Sequence, residues 1–167
     1  LMPVSDQVVD KNRFQIIPRT LIFVIERDSV LLLKGASTKR IWANRYNGIG
    51  GHIEKGEDVL SAARRELFEE TGLIATRLQL CGTVMITTGN IPGIGLFVFQ
   101  VKEFTGILNS SHEGELRWVR LSDLMSVPCV EDLPVLLEKI TRMQESDSPF
   151  SAVYQYDNQD QLMISFG

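Results

Sequence analysis

The sequence predicts an α/β protein, and three observations carry that expectation. β-rich runs come in pairs around short polar turns. A stretch from about Asp58 to Thr71 holds only good helix formers, without proline or internal glycine. A second amphipathic helix runs through Pro134 to Met143, beginning near Glu131.

Taken in order, Leu21–Glu26 and Val30–Lys34 read as two strands of a hairpin around Arg27-Asp28-Ser29. Residues Ser37 to Tyr46 are polar and aromatic, a loop leading into the glycine segment Asn47-Gly48-Ile49-Gly50-Gly51. In the helix that follows, Leu60, Ala63 and Leu67 form an apolar stripe at i, i+3 and i+7. Gly72 suits its C-cap. Leu78–Thr87 and Leu96–Phe104 are strands separated by the turn-forming run Thr88 to Gly93. A further turn lies near Asn109-Ser110-Ser111, then a short strand Leu116–Leu121 and a helix-start signal at Ser122-Asp123. The tail, Ser151–Tyr156 and Gln161–Phe166 around Asp157 to Asp160, is a last hairpin. It can add to the sheet, cover a core face or form a subunit contact, and its role stays open.

The chain of 167 residues is read as one domain over 1–167, with the C-terminal hairpin at about 150–167. Hydrophobic content of 44% and charged content of 23% are ordinary for a globular protein. A net charge of −4 argues against a broad nucleic-acid surface. Cys81 and Cys129 lack metal spacing and read as two buried thiols in a reducing cytoplasm. His52 and His112 are too scattered for a zinc site. No apolar run approaches the ~18 residues of a membrane span, and no signal peptide is evident. Leu1 ahead of Met2 reads as an addition to the natural start. The expected location is the cytoplasm; the oligomeric state is left open.

The chemistry concentrates in Gly51 to Leu73, GHIEKGEDVLSAARRELFEETGL. Glu66, Glu69 and Glu70 stand at i, i+3 and i+4, so they share one helix face. Like charges at that spacing repel, and cations would neutralise them. Hard carboxylate oxygens suit magnesium, which keeps positions open for phosphate. Arg65 can steady a glutamate by charge-assisted hydrogen bonds. Gly48, Gly50 and Gly51 let backbone approach a ligand closely.

This segment resembles the Nudix box: glycine, five residues, Glu57, seven residues, then Arg-Glu-aliphatic-x-Glu-Glu-x-Gly-aliphatic. The resemblance implies the Nudix fold, a mixed β-sheet sandwiched between helices (α/β/α). It also implies Mg²⁺-dependent cleavage of a phosphoric anhydride bond in a small nucleotide, with Mn²⁺ as a substitute ion. The metal ligands it implies are Glu66, Glu69 and Glu70 with the Gly50 carbonyl. Arg65 would orient a glutamate, and Glu57 support the loop or the metal's hydration shell. The family's further carboxylate, from a loop before a late Trp-containing strand, falls on Glu113 rather than Glu115, ahead of Trp118. Glu66, Glu70 and Glu113 all remain open as the general base.

The segment Trp42 to Gly51 is similar to the branch that hydrolyses oxidised purine nucleoside triphosphates (the 8-oxo-dGTP type) to monophosphate and pyrophosphate. There Asn47 would meet the base, although an Asn can equally fix a turn. Glu131 and Asp132 match that branch's acidic pair at the base, or cap the helix that follows them. The branch's aromatic residue before the pair is absent, since Pro128, Cys129 and Val130 stand there. The alternative substrate is ADP-ribose or another nucleoside diphosphate sugar, disfavoured because Gly89 occupies the position of the proline those enzymes often carry. A non-catalytic nucleotide-binding module of the same fold is the alternative of another class; such modules typically lose box glutamates, and all are kept here.

Overall fold

A computed structural model describes residues 3–38, 42–89, 92–109 and 112–167. Parts of three expected loops therefore lie outside the described residues: Lys39 to Ile41, Asn90-Ile91 and Ser110-Ser111.

Strands β1 (Ile16–Glu26) and β2 (Ser29–Gly35) form the first hairpin, closed by Arg27 and Asp28 with Arg27 at φ 54°. Strand β3 is only Tyr46–Asn47, paired to β2. Helix α1 spans Val59–Thr71. Strands β4 (Leu73–Ile86), β5 (Gly93–Gly106) and β6 (Gly114–Arg120) follow, then a short 3-10 turn at Leu121–Ser126 and helix α2 (Leu133–Arg142). Strands β7 (Phe150–Tyr156) and β8 (Leu162–Phe166) end the chain.

The described strands join in one sheet of order β3-β2-β1-β5-β4-β7-β8, with β6 also paired to β2. Pairs β1/β5 and β4/β7 are parallel and the others antiparallel. Successive side chains of a strand face opposite sides, and β1 shows it. Ile22 and Val24 pack with Ala63 and Leu67 of α1, whereas Leu21 and Phe23 join Leu133, Leu136 and Ile140 of α2. One helix lies on each face, so the sheet is sandwiched as expected.

Three expectations need correction. Leu60 is 41% exposed and leaves the helix stripe; the buried face is Ala62, Ala63, Leu67, Glu70 and Thr71. Leu60 lies in the first turn, where Asp58 caps it by accepting from the N–H groups of Leu60 and Ser61. Gly93 belongs to β5, not to a turn: a side chain there would meet the Ile86 carbonyl at 2.5 Å, so its glycine serves close strand packing. Finally, α2 begins at Leu133, and Asp132 at its N-cap makes no capping hydrogen bond.

Candidate active site

The site grows from the contact between the glycine loop and β1. Residues 49 to 52 run antiparallel to β1, with Ile22 and Ile49 exchanging hydrogen bonds (2.7 and 3.1 Å), Thr20 N–H donating to Gly51 O (2.8 Å) and Arg19 bridged to His52. Side chains are excluded there. A Cβ on Gly50, at φ 146°, would lie 2.2 Å from the Thr20 carbonyl oxygen, and one on Gly51 would strike the Glu66 carboxylate at 2.6 Å. The glycines thus admit two things at once, the β1 backbone and a glutamate of α1.

Arg65 organises the carboxylates around this loop. Its Nε and Nη2 donate to both oxygens of Glu57 at 2.9 Å each, a fork that fixes the guanidinium plane. Nη1 donates to Glu66 (2.8 Å) and Glu69 (3.2 Å), and Nη2 to the His52 carbonyl (3.0 Å). The Arg65 bonds, then the Glu54 N–H, hold the Glu57 carboxyl below its ordinary range. The bonds to Glu57 and Glu66 push the Arg65 guanidinium further up, so it is permanently charged. Glu70 is buried and accepts from Gly50 N–H at 3.0 Å.

A cavity of about 800 Å³ joins this end to a second one. Glu66, Glu70, Gly50 and Glu113 line it on the loop side, with Glu54, which sequence reasoning did not single out. Glu69 is not among its lining residues; its carboxylate is mostly exposed. Glu115 lies in β6, opposite Lys34, away from the cavity lining. At the other side stand Asn47, Glu131 and Asp132. They meet because buried Tyr46 is stitched to the segment before α2: its N–H donates to Pro128 O (2.8 Å) and its carbonyl accepts from Val130 N–H (3.0 Å). Asn47 Oδ1 accepts from Gly48 N–H at 2.7 Å, so this residue braces the turn while also lining the cavity.

The C-terminal hairpin supplies what the sequence left open. β7 runs parallel to β4, and Tyr154, Tyr156 and Leu162 enter the cavity wall. With Trp42 they bring aromatic surface to a cavity whose flank at Pro128 to Val130 has none. Burial pushes the Asp132 carboxyl above its ordinary value, against the opposing effect of neighbouring hydrogen-bond donors. Burial, then the Asp132 charge, pushes the Tyr154 phenol up. The Tyr154 hydroxyl is buried without a hydrogen bond of full geometry, yet faces Asp132 closely enough for each to act on the other's proton.

The donor set fits a hard divalent cation in kind: carboxylates on adjacent turns of α1 beside a glycine loop, one of them 5% exposed. Among the described residues no three acidic, His or Cys side chains converge as a ready cage. The reason is visible: Glu66 and Glu69 lean on Arg65, and Glu70 on Gly50 N–H.

Residues 16–140 match the NUDIX domain. The chain belongs to the Nudix hydrolase family. These are enzymes that act on phosphoric anhydride bonds. It is 27% identical over 149 residues to the oxidized purine nucleoside triphosphate hydrolase of Mus musculus, covering 86% of this chain and 89% of that protein. To the Danio rerio protein of the same description it is 30% identical over 125 residues, covering 72% and 79%. The fold resembles the MutT protein of Bacillus halodurans with a TM-score of 0.70 at 24% identity, covering 90% of this chain and 97% of that one. Among the described residues, no helix is long and apolar enough to cross a membrane.

Proposed function

We propose that this Nudix hydrolase cleaves a nucleoside triphosphate, with an oxidised purine as its base, to the monophosphate and pyrophosphate, and that it needs magnesium. The observation that carries the reading is the shared cavity. It connects carboxylates and glycine backbone at one end to an amide, two acids and aromatic surface at the other. Its size suits a nucleotide. Two relatives described as oxidized purine nucleoside triphosphate hydrolases support the substrate class.

In this reading Glu66, Glu69, Glu70 and the Gly50 carbonyl would hold the metal. Magnesium, when bound, draws charge from phosphate oxygens and makes an attacking water more acidic. Arg65 and Glu57 keep Glu66 and Glu69 oriented while the loop carries the Gly50 carbonyl. Glu66, Glu70 or Glu113, each lining the cavity, takes the proton from the attacking water. Asn47 and the Glu131-Asp132 pair read the purine edge. Asn47 both donates and accepts and the carboxylates accept, which suits a base whose oxidised edge has exchanged an acceptor for a donor. Trp42, Tyr154 and Tyr156 supply stacking surface in place of the missing aromatic near Cys129.

The test is a screen of ordinary and oxidised purine triphosphates, pyrimidine triphosphates and nucleoside diphosphate sugars, with products identified by mass. The reading expects the highest kcat/KM for an oxidised purine triphosphate. Preference for ADP-ribose would replace it with the sugar-nucleotide alternative, and turnover of none would leave a binding module.

A further inference from the structure

Among the described residues, two buried side-chain polar atoms lack a hydrogen-bond partner, Arg19 Nε and the Tyr154 hydroxyl. Buried polar groups are nearly always bonded, so each exception asks for a partner from outside the chain. Both residues line the same cavity. Tyr154 already has a neighbour in Asp132, at the base end. Arg19 has no role in the site described so far.

The sheet register locates Arg19. It pairs with Leu96 of β5 on one side and with His52 of the glycine loop on the other. Tyr154 lies three strands further along the same sheet, roughly 14 Å at ordinary strand spacing. The two unpartnered atoms thus mark opposite ends of the cavity floor. Arg19 is at the end beside Gly51, Glu66 and the loop. Among the described residues, the other arginines near the site are engaged: Arg65 by three glutamates, and Arg45 by the Cys129 carbonyl at 3.3 Å. Arg19 takes part in none of the ion pairs among the described residues, although acids line the same cavity. Glu66 is held by Arg65 and Glu70 by Gly50 N–H, so neither turns to it.

We propose that Arg19 is a phosphate-binding residue of this site, its guanidinium donating to a non-bridging oxygen of the polyphosphate of the bound nucleotide. The inference rests on the nucleotide reading above only in needing a ligand that carries phosphate. Guanidinium suits the task, because it stays charged and offers donors in a planar fork to phosphate oxygens. The position suits it too. A nucleotide with its base beside Asp132 and its phosphates at the loop carboxylates would occupy the cavity that Arg19 lines. The energetic logic is that of a preorganised site. Arg19 lines the cavity with no protein partner for its charge among the described residues, so a ligand phosphate meets a guanidinium already in place.

The experiment measures binding of inorganic pyrophosphate with magnesium, and separately of guanosine, by calorimetry for the wild type, Arg19→Gln, Arg19→Met and Arg19→Lys. Pyrophosphate affinity should fall about tenfold in the Gln and Met variants, as for loss of one charged hydrogen bond. Lys should recover part of it, and guanosine affinity should not move. In the free protein Arg19→Met should melt no lower than wild type, since it removes an unbonded buried donor. Unchanged pyrophosphate affinity in the Gln and Met variants, no pyrophosphate binding by wild type, or equal losses for guanosine would overturn the proposal. So would a lowered melting temperature in Arg19→Met without Lys rescue of binding, the mark of a purely structural arginine. Loss of pyrophosphate binding in a protein that hydrolyses no nucleoside triphosphate would sink the substrate reading and leave Arg19 standing.

Discussion

Glu70 Oε2 accepts a hydrogen bond from the backbone N–H of Gly50 at 3.0 Å, joining the last turn of α1 to the glycine loop across twenty residues of sequence. Glu70 as a residue is 5% exposed, which is costly for an acid unless something offsets the lost hydration. One backbone donor repays part of that cost, and a divalent cation would repay more. Glu70→Gln keeps the shape and an acceptor for Gly50, and removes the charge. We expect turnover to fall by at least ~100-fold with the melting temperature nearly unchanged, as for loss of a catalytic carboxylate. Steady-state rates with magnesium and thermal melts check this. Full activity in excess chelator would contradict the metal role.

The Arg65–Glu57 fork makes a second prediction. Arg65 reaches Glu57, Glu66, Glu69 and the His52 carbonyl from one guanidinium plane. Lysine cannot make these contacts together. Arg65→Lys should lower kcat at least ~10-fold while KM changes little, since its effect runs through the carboxylates rather than the substrate. A change in KM alone would mean Arg65 touches substrate directly.

Much of this was legible in the sequence, and the local features were the most legible. Asp58, Gly72 and the absence of breakers between them define α1 to within a residue, because caps and helix propensity act over a few positions. The hairpins at residues 27–28 and 157–161 are likewise local. Non-local partners were not legible. Nothing in Ile16–Arg19 announces that β1 begins before Leu21 and runs parallel to β5, because that pairing depends on residues more than seventy positions away. Arg19 was missed for the same reason. Its meaning comes from being buried beside His52, and no motif carries it. The parallel docking of β7 on β4, which brings Tyr154 to Asp132, also had no sequence signal. The acidic pair at 131–132 was legible as a pair but ambiguous in role, and Asp132 makes no side-chain capping hydrogen bond.

Asp132 gives a pH prediction with a definite sign. Its carboxyl in the folded protein titrates above its ordinary value of 3.8. The folded state therefore binds more protons than the unfolded chain between that value and the raised one, and stability falls as pH rises through this window. Asp132→Asn removes the penalty on the charged form. The variant should melt roughly 2–4 °C higher than wild type at neutral pH. The gap should close as pH drops below the ordinary value. Thermal melts across the acid range measure it. A gap that does not depend on pH would assign the effect to packing instead.

Asn47 tests base recognition. Its Oδ1 braces Gly48 N–H at 2.7 Å, and its side chain also lines the cavity near Asp132. Asn47→Ala should remove about 1–3 kcal/mol of binding to purine triphosphates by leaving a base group unpaired. The effect should appear as a raised KM for purines and a small one for pyrimidines. Equal loss across all bases would make Asn47 a turn residue only.

The central claim is attack on the anhydride between the α and β phosphates of a nucleoside triphosphate. The most direct measurement is product identification by mass after incubating 8-oxo-dGTP with the protein and magnesium, with a chelator control. The account predicts monophosphate and pyrophosphate in equal amounts, and none with chelator. Diphosphate with orthophosphate, or no turnover of the triphosphate beside rapid cleavage of ADP-ribose, would contradict it.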